Sequence, residues 1–428
     1  MNGQNYKSEI YYPIKYTYFK LGRTPCMLYE PADAFDRNRI AVISMHSDQD
    51  YLSFNAGPEL AKRGFTSICA NVSSSDLPLE KKLLEVKAVC ESARQNSGAR
   101  AVVLLGHSGG ATLMSAYQDA AENGVGIFQG DEKIIRCADI GPLSPADGVM
   151  FLDSNYGNGA MELLSLDPAV KNEGGGMELD PELDAFNPAN GFDPCGSKYS
   201  ETFVRKFQKA QGERNNRLID AAIERLRLIE NCKGNYIDDE PFVVPSGVHI
   251  RFNNKLFPQD IRLLSHTKKA WPLLHADGSA TTEIIRSVRR PEGGKSLTNE
   301  LWGGALRTTV RTFLDSHTVR TTADFGYGED YIQGVVWESS FCCPPGNVMG
   351  IASPMLVMGM TGGYEYIAAE TIYDNALRSK DKTIAFVEGA DHEFSTAKEC
   401  EAYPGQFGDT LKIVFDFVDQ WLRGRFSG

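Results

Sequence analysis

Residues 101–123 read AVVLLGHSGGATLMSAYQDAAEN, and we interpret them as a strand, a tight turn and a helix. Its first five residues form an apolar run of strand length, and the pattern from Ala111 onward is helical. A sharp strand-to-helix turn between them strains the backbone of Ser108 and exposes its Oγ. Gly106 and Gly110, two positions away on either side, remove side chains that would clash there. The free N–H groups and partial positive charge of the helix N-terminus can stabilise an oxyanion. The stretch therefore predicts a nucleophilic serine.

Strand and helix patterns alternate around this turn. Nearly continuous apolar runs of this length are typical of a parallel sheet that is covered on both faces. The pattern predicts an α/β core in two parts, 1–157 and 350–428. It does not continue through 158–349, which we interpret as one cap insertion containing a long helix over 200–232 with a break near Gly212. The predicted core strands are 40–45, 65–71, 101–105, 148–153, 354–359 and 383–387, and the predicted core helices are 58–63, 79–95, 368–378 and 411–422.

Composition and charge exclude several classes of protein. The 428 residues include 44 basic and 56 acidic side chains, a net charge of −12, which disfavours binding to nucleic acid or to anionic membranes. No apolar run approaches the roughly 18 residues of a membrane span, and the first residues do not resemble a signal peptide. Nine cysteines without zinc-site spacing are typical of reduced thiols in a cytoplasmic protein. We expect a small-molecule substrate and no metal or cofactor; the sequence leaves a homodimer open.

A serine hydroxyl needs a base, and two histidines follow predicted strands. His392 lies in VEGADHEF, directly after the last core strand, so its loop reaches the same sheet edge as the serine. His46 ends an earlier strand in MHSD, where we expect it to shape a turn whose N–H groups complete an oxyanion hole. His107 adjoins the serine, but we expect it to point away from Oγ. His392 is therefore the predicted base.

The GHSGG turn, the MHSD segment and the late GADHEF histidine together resemble the α/β-hydrolase superfamily. The resemblance covers both core parts. It implies an eight-stranded, mostly parallel sheet flanked by helices, with a large, mainly helical cap insertion. It also implies the nucleophile Ser108, the base His392, and oxyanion donors at the backbone N–H groups of Gly109 and Ser47. The bond attacked would be an ester, lactone, amide or carbon–carbon bond.

In the resembling family, an acidic residue completes a triad with the serine and the histidine, and here its position departs from the family pattern. Members usually carry an Asp or Glu shortly after the strand that corresponds to 354–359, but here that slot reads MTGGYEY. Glu365 is its first carboxylate and our first choice for the acid. Asp153, which ends the preceding core strand, occupies an alternative position known in the superfamily. The acid would hold the tautomer of His392 and stabilise its charged form.

The sequence therefore predicts a serine hydrolase that forms an acyl-enzyme. Two alternatives remain open at this point. An acyltransferase would use the same acyl-enzyme but would exclude water. A non-catalytic receptor for a small molecule would use the scaffold alone.

Overall fold

The computed structural model describes residues 11–33, 39–174, 178–248, 255–300 and 302–427. The strands are β1 Ile14–Leu21, β2 Thr24–Pro31, β3 Ile40–His46, β4 Thr66–Asn71, β5 Ala101–His107, β6 Gly148–Leu152, β7 Pro241–Val244, β8 His266–Leu274, β9 Ala280–Arg286, β10 Leu306–Thr309, β11 Arg320–Tyr327, β12 Ile332–Val336, β13 Met355–Met360 and β14 Lys382–Val387. The α-helices are α1 Ala56–Lys62, α2 Leu79–Asn96, α3 Gly110–Asn123, α4 Asn158–Ser165, α5 Glu201–Glu230, α6 Val310–Ser316, α7 Pro344–Asn347, α8 Ala368–Asn375 and α9 Thr410–Phe426.

One ten-stranded sheet forms the centre of the molecule, in the order β1-β2-β4-β3-β5-β6-β13-β14-β8-β9. The strands from β4 to β14 in this order are parallel to one another, and β1 and β2 form an antiparallel edge. The two core parts contribute eight of the ten strands, which confirms the predicted eight-stranded, mostly parallel core. The strands β8 and β9 come from the insertion and extend the sheet beyond β14.

Helices cover both faces of this sheet, as the apolar strands require. Every residue of β3, β5, β6 and β13 is buried. Because side chains alternate between faces, Ile43 and Leu104 pack with α2 and α3, whereas Val42 and Val103 pack with α1 and α9. Because these strands are parallel, their carboxyl ends lie at one edge of the sheet, where functional loops are expected.

The insertion combines helices with strands, which the prediction of a mainly helical cap does not include. Besides β8 and β9, β7 pairs with β10 and β11 pairs with β12. Its edge strands are mostly exposed and polar, as in Ala280–Arg286, so they lack the apolar run that reveals a buried strand. The helix α5 is continuous through Gly212, where a Cβ would approach the Phe325 ring of β11 to 3.0 Å. Of the helices described, none is long and apolar enough to span a membrane.

Candidate active site

The turn between β5 and α3 has the predicted strained geometry. Ser108 adopts φ +52°, a left-handed conformation that is costly for a residue with a Cβ. Glycine is required on either side because the chain segments pack closely. A Cβ on Gly106 would lie 2.6 Å from the Cα of Ala111, and one on Gly110 would lie 2.7 Å from the carbonyl oxygen of Met45. The strain persists because this packing holds the turn, and it presents Ser108 at the start of α3.

His392 lies in the loop after β14, and its partner is Asp153. The His392 Nδ1 is 2.7 Å from Asp153 Oδ2, and the other oxygen, Oδ1, accepts a hydrogen bond of 2.8 Å from the N–H of Met360. Asp153 directly follows β6, is fully buried and adopts φ +46°. An ionised carboxylate only accepts hydrogen bonds, so the neutral form of His392 carries its proton on Nδ1, and Nε2 is the ring atom that can take up a second proton.

Glu365, our first choice for the acid, lies near the histidine without taking this hydrogen bond. One oxygen or nitrogen atom from each of Asp153, Glu365 and His392 lies within 4.8 Å of the others. The Glu365 Oε2 accepts a hydrogen bond of 3.2 Å from the N–H of Tyr364, while Asp153 occupies the position at Nδ1. The physical reason is the backbone of Asp153, whose left-handed turn directly after β6 directs the carboxylate toward the loop after β14. The geometry therefore favours the alternative acid, Asp153.

Both carboxylates influence the charge of His392. Burial lowers the pKa of His392, but Glu365 and then Asp153 outweigh this effect and raise the pKa to about 9. Burial raises the pKa of Asp153, and its hydrogen bond with His392 opposes that rise. The site thus stabilises a positively charged imidazole. The same three side chains are also the group of potential metal ligands found among the described residues, but the hydrogen bond between Asp153 and His392 already uses an atom of each.

Two buried basic residues of the insertion interact electrostatically with Glu365. The Lys255 Nζ donates a hydrogen bond of 3.3 Å to the Tyr364 hydroxyl, and burial lowers the lysine's pKa to about 8, while Glu365 opposes that fall. Arg289 donates to three main-chain carbonyls, and burial lowers its pKa, while Tyr366 and Glu365 oppose the fall. Glu365 is therefore close enough to interact electrostatically with His392, Lys255 and Arg289.

His107, the neighbour of the serine, supports the loop that carries the base. Its Nε2 is 2.7 Å from the carbonyl oxygen of His392, and its Nδ1 is 2.5 Å from the hydroxyl of Tyr51. Since a carbonyl can only accept, Nε2 carries the proton and Nδ1 accepts from the tyrosine. Burial lowers the pKa of His107 well below its usual value, so the ring is neutral. His107 therefore positions the backbone of His392.

The MHSD segment forms a tight turn beside the serine. The Nδ1 of His46 accepts hydrogen bonds from the N–H groups of Asp48 and Gln49, at 3.2 and 3.1 Å. Ser47 is buried, and its hydroxyl donates to the carbonyl oxygen of Gly109 at 3.4 Å. Two N–H groups of this turn thus donate their hydrogen bonds to the His46 ring. Among the described residues, none accepts a hydrogen bond from the N–H of Ser47.

Asn158 is a residue of this site that sequence reasoning missed. It is the first residue of α4, and its Nδ2 donates a hydrogen bond of 3.0 Å to the hydroxyl of Ser47. Its Oδ1 lies so close to Gly109 that a Cβ there would approach it to 2.7 Å. The asparagine therefore connects the MHSD turn to the turn that carries Ser108. No motif marks it, because its contacts join three segments that are far apart in the sequence.

A cavity of about 1050 Å³ opens above these residues. Ser108 and His392 line it from the core, and Met161, Leu306 and His317 line it from the insertion. A cavity of this size can hold a small organic molecule. The cavity can therefore hold a substrate beside Ser108, Gly109 and His392, which all line it.

Comparisons with known proteins give distant structural similarities. No protein-family model matches the chain, and no curated protein matches it. Among solved structures, a thermostable carboxyl esterase from Bacillus coagulans has 8% identity and a TM-score of 0.41, with 96% of this chain and 99% of that chain covered. A hormone-sensitive lipase from a metagenome library has 10% identity and a TM-score of 0.42, with 97% and 86% covered. Esterase B from Lactobacillus rhamnosis has 9% identity and a TM-score of 0.39, with 97% and 89% covered.

The fold assignment rests on the architecture of the chain itself. A mostly parallel sheet carries the strained serine after β5, and the neighbouring strand β6 carries Asp153. The histidine follows β14, the last core strand, so that the residues meet at the carboxyl edge of the sheet. This chain has the fold of the α/β-hydrolase superfamily.

Proposed function

We propose that this protein is a serine hydrolase that cleaves a carboxylic ester of a small organic molecule through an acyl-enzyme. The observation that carries the proposal is the hydrogen bond of 2.7 Å between His392 and the buried Asp153, beside the cavity that His392 and the strained Ser108 line. A serine in this conformation and a histidine held in one tautomer by a buried carboxylate are the parts that acyl transfer needs.

In the proposed mechanism, the Ser108 Oγ attacks the ester carbonyl carbon while His392 Nε2 takes the hydroxyl proton. The carbonyl oxygen becomes an oxyanion, which the backbone N–H groups of Gly109 and Ser47 stabilise. When the tetrahedral intermediate collapses, the carbon–oxygen bond of the ester breaks and the alcohol leaves with the proton from Nε2. Water then attacks the acyl-enzyme, with His392 as the base again, and releases the acid. Asp153 stabilises the imidazolium in both halves of the cycle.

The test is hydrolysis of 4-nitrophenyl butyrate by the wild-type protein and two serine variants. Ser108→Ala should reduce kcat by about 10⁵-fold or more, because the nucleophile is lost. Ser75→Ala is the matched control, since Ser75 is exposed and lines the same cavity. It should keep kcat within about twofold, in line with the small effect of a surface substitution. If the kcat of Ser108→Ala equalled that of the wild type, the proposal would be contradicted.

The other functions considered give different results in the same assay. An acyltransferase would release the acid slowly and would transfer the butyryl group to an added alcohol or amine. A receptor would bind the ester without releasing nitrophenol. We expect fast acid release without an acceptor, because the cavity is open and lined by polar groups that admit water.

A further inference from the structure

Lys82 is a buried cation in the catalytic cavity that the proposed reaction does not use. It lies on α2, its exposed fraction is 2%, and it lines the same cavity as Ser108. The insertion buries it, because α6 lies against the start of α2. There the Leu79 N–H donates to Asp315 at 3.3 Å, and the Thr312 hydroxyl donates to the carbonyl oxygen of Asp76 at 3.3 Å.

The Lys82 ammonium has no hydrogen-bond or ion-pair partner among the described residues. Burial lowers its pKa, and Asp315, Asp48 and Asp76 oppose that fall through longer-range attraction. Asp315 itself accepts hydrogen bonds from the Leu79 N–H and from the neighbouring serine hydroxyl. An ammonium carries three donors, and leaving them unused in a buried place is costly. The acceptors therefore come from what fills the cavity, which is water until a substrate displaces it.

We propose that Lys82 binds a carboxylate group of the substrate, so that the protein selects esters that carry a negative charge. This inference rests on the proposed ester hydrolysis. A carboxylate is the strongest acceptor that an ammonium can find, and the hydrogen bond between two charged groups exceeds one between neutral groups. The cavity of about 1050 Å³ reaches from Ser108 to Lys82, which leaves room for a substrate with an ester at one end and a carboxylate at the other.

The experiment compares two pairs of esters, which place the charge on either side of the scissile bond. On the acyl side, 4-nitrophenyl hemisuccinate is compared with neutral 4-nitrophenyl butyrate. On the alcohol side, 4-acetoxybenzoate is compared with neutral phenyl acetate. For each pair, the ratio of kcat/KM for the charged ester to kcat/KM for the neutral ester is measured. Because both values come from the same preparation, the ratio does not depend on how much of a variant is folded.

Lys82→Met removes the charge and keeps much of the apolar stem. It should lower the ratio for at least one pair by about 10- to 100-fold, as expected for loss of one hydrogen bond between charged groups. Lys81→Met, at the exposed neighbouring position, is the matched control and should leave both ratios within about twofold. Ratios that stay within threefold of wild type for both pairs in Lys82→Met would overturn the proposal. Absence of any hydrolysis by the wild type would instead contradict the proposed function.

Discussion

The substitution Asp153→Asn tests the assignment of the acid most sharply. Asparagine keeps the shape of aspartate and tolerates the left-handed backbone at φ +46°, so the fold should be retained. The amide has only one acceptor oxygen, and the N–H of Met360 faces one side of the group at 2.8 Å. The oxygen must turn toward that donor, which places the NH₂ group against His392 Nδ1.

This rearrangement predicts the size of the effect. Facing a donor, Nδ1 must become an acceptor, and the proton of the neutral imidazole moves to Nε2. The base is then in the wrong tautomer to take the proton of Ser108. We expect kcat to fall by about 10⁴-fold, a loss of roughly 5 kcal/mol of transition-state stabilisation. The assay is kcat for 4-nitrophenyl butyrate, with the urea midpoint of each variant measured to show that it is folded.

Glu365→Gln is the matched variant, because it neutralises the other carboxylate near His392. Since Asp153 keeps the hydrogen bond to Nδ1, Glu365→Gln should reduce kcat by no more than about tenfold, the scale of a charge effect of about one pKa unit. If Glu365→Gln instead lost about 10⁴-fold while Asp153→Asn kept more than a tenth of the activity, Glu365 would be the acid and the reasoning from hydrogen-bond geometry would be refuted.

Three further predictions concern the charge, the packing and the oxyanion side of the site. Because the pKa of His392 is about 9, kcat/KM should fall as the pH drops through 9. Glu365→Gln should move this fall to lower pH, because Glu365 is the largest influence that raises the pKa of His392. A pH–rate profile with an unchanged acidic limb in Glu365→Gln would contradict this. Gly106→Ala should lower the free energy of unfolding by about 1–3 kcal/mol in urea titrations, whereas Gly126→Ala, where a Cβ meets open space, should change it by less than about 1 kcal/mol; equal effects would argue against the close packing at the turn. Asn158→Asp should lower kcat by about 10²-fold, because it places a negative charge beside the developing oxyanion, and the urea midpoint should change little. An unchanged kcat would contradict the placement of Asn158 next to the oxyanion.

The core could be predicted from the sequence because its signals are local. The run Ala101–Leu105 and the helical pattern after Gly110 are contiguous, and the turn between them needs glycine at fixed positions. The strands of the insertion could not be predicted in the same way. In Ala280–Arg286 most side chains are exposed, so pairing with β8 depends on backbone hydrogen bonds, which leave no apolar pattern in the sequence.

The choice between the two candidate acids could not be made from the sequence. Glu365 and Asp153 lie after neighbouring strands, and both come near His392, so the family spacing alone could not rank them. The feature that favours Asp153 is its left-handed backbone together with the hydrogen bond from the N–H of Met360, with the other carboxylate oxygen at Nδ1 of His392. The same holds for Lys82, whose burial depends on an insertion helix more than 200 residues away in the chain.

The most direct test of Ser108 as the nucleophile is covalent labelling with a fluorophosphonate, followed by mass spectrometry of the peptides. We predict one adduct, on Ser108, that forms rapidly in the wild type and in Ser75→Ala. It should form far more slowly in Asp153→Asn, because the base is in the wrong tautomer. Labelling of another residue, or no labelling of the folded wild-type protein, would contradict the claim that Ser108 is an activated nucleophile.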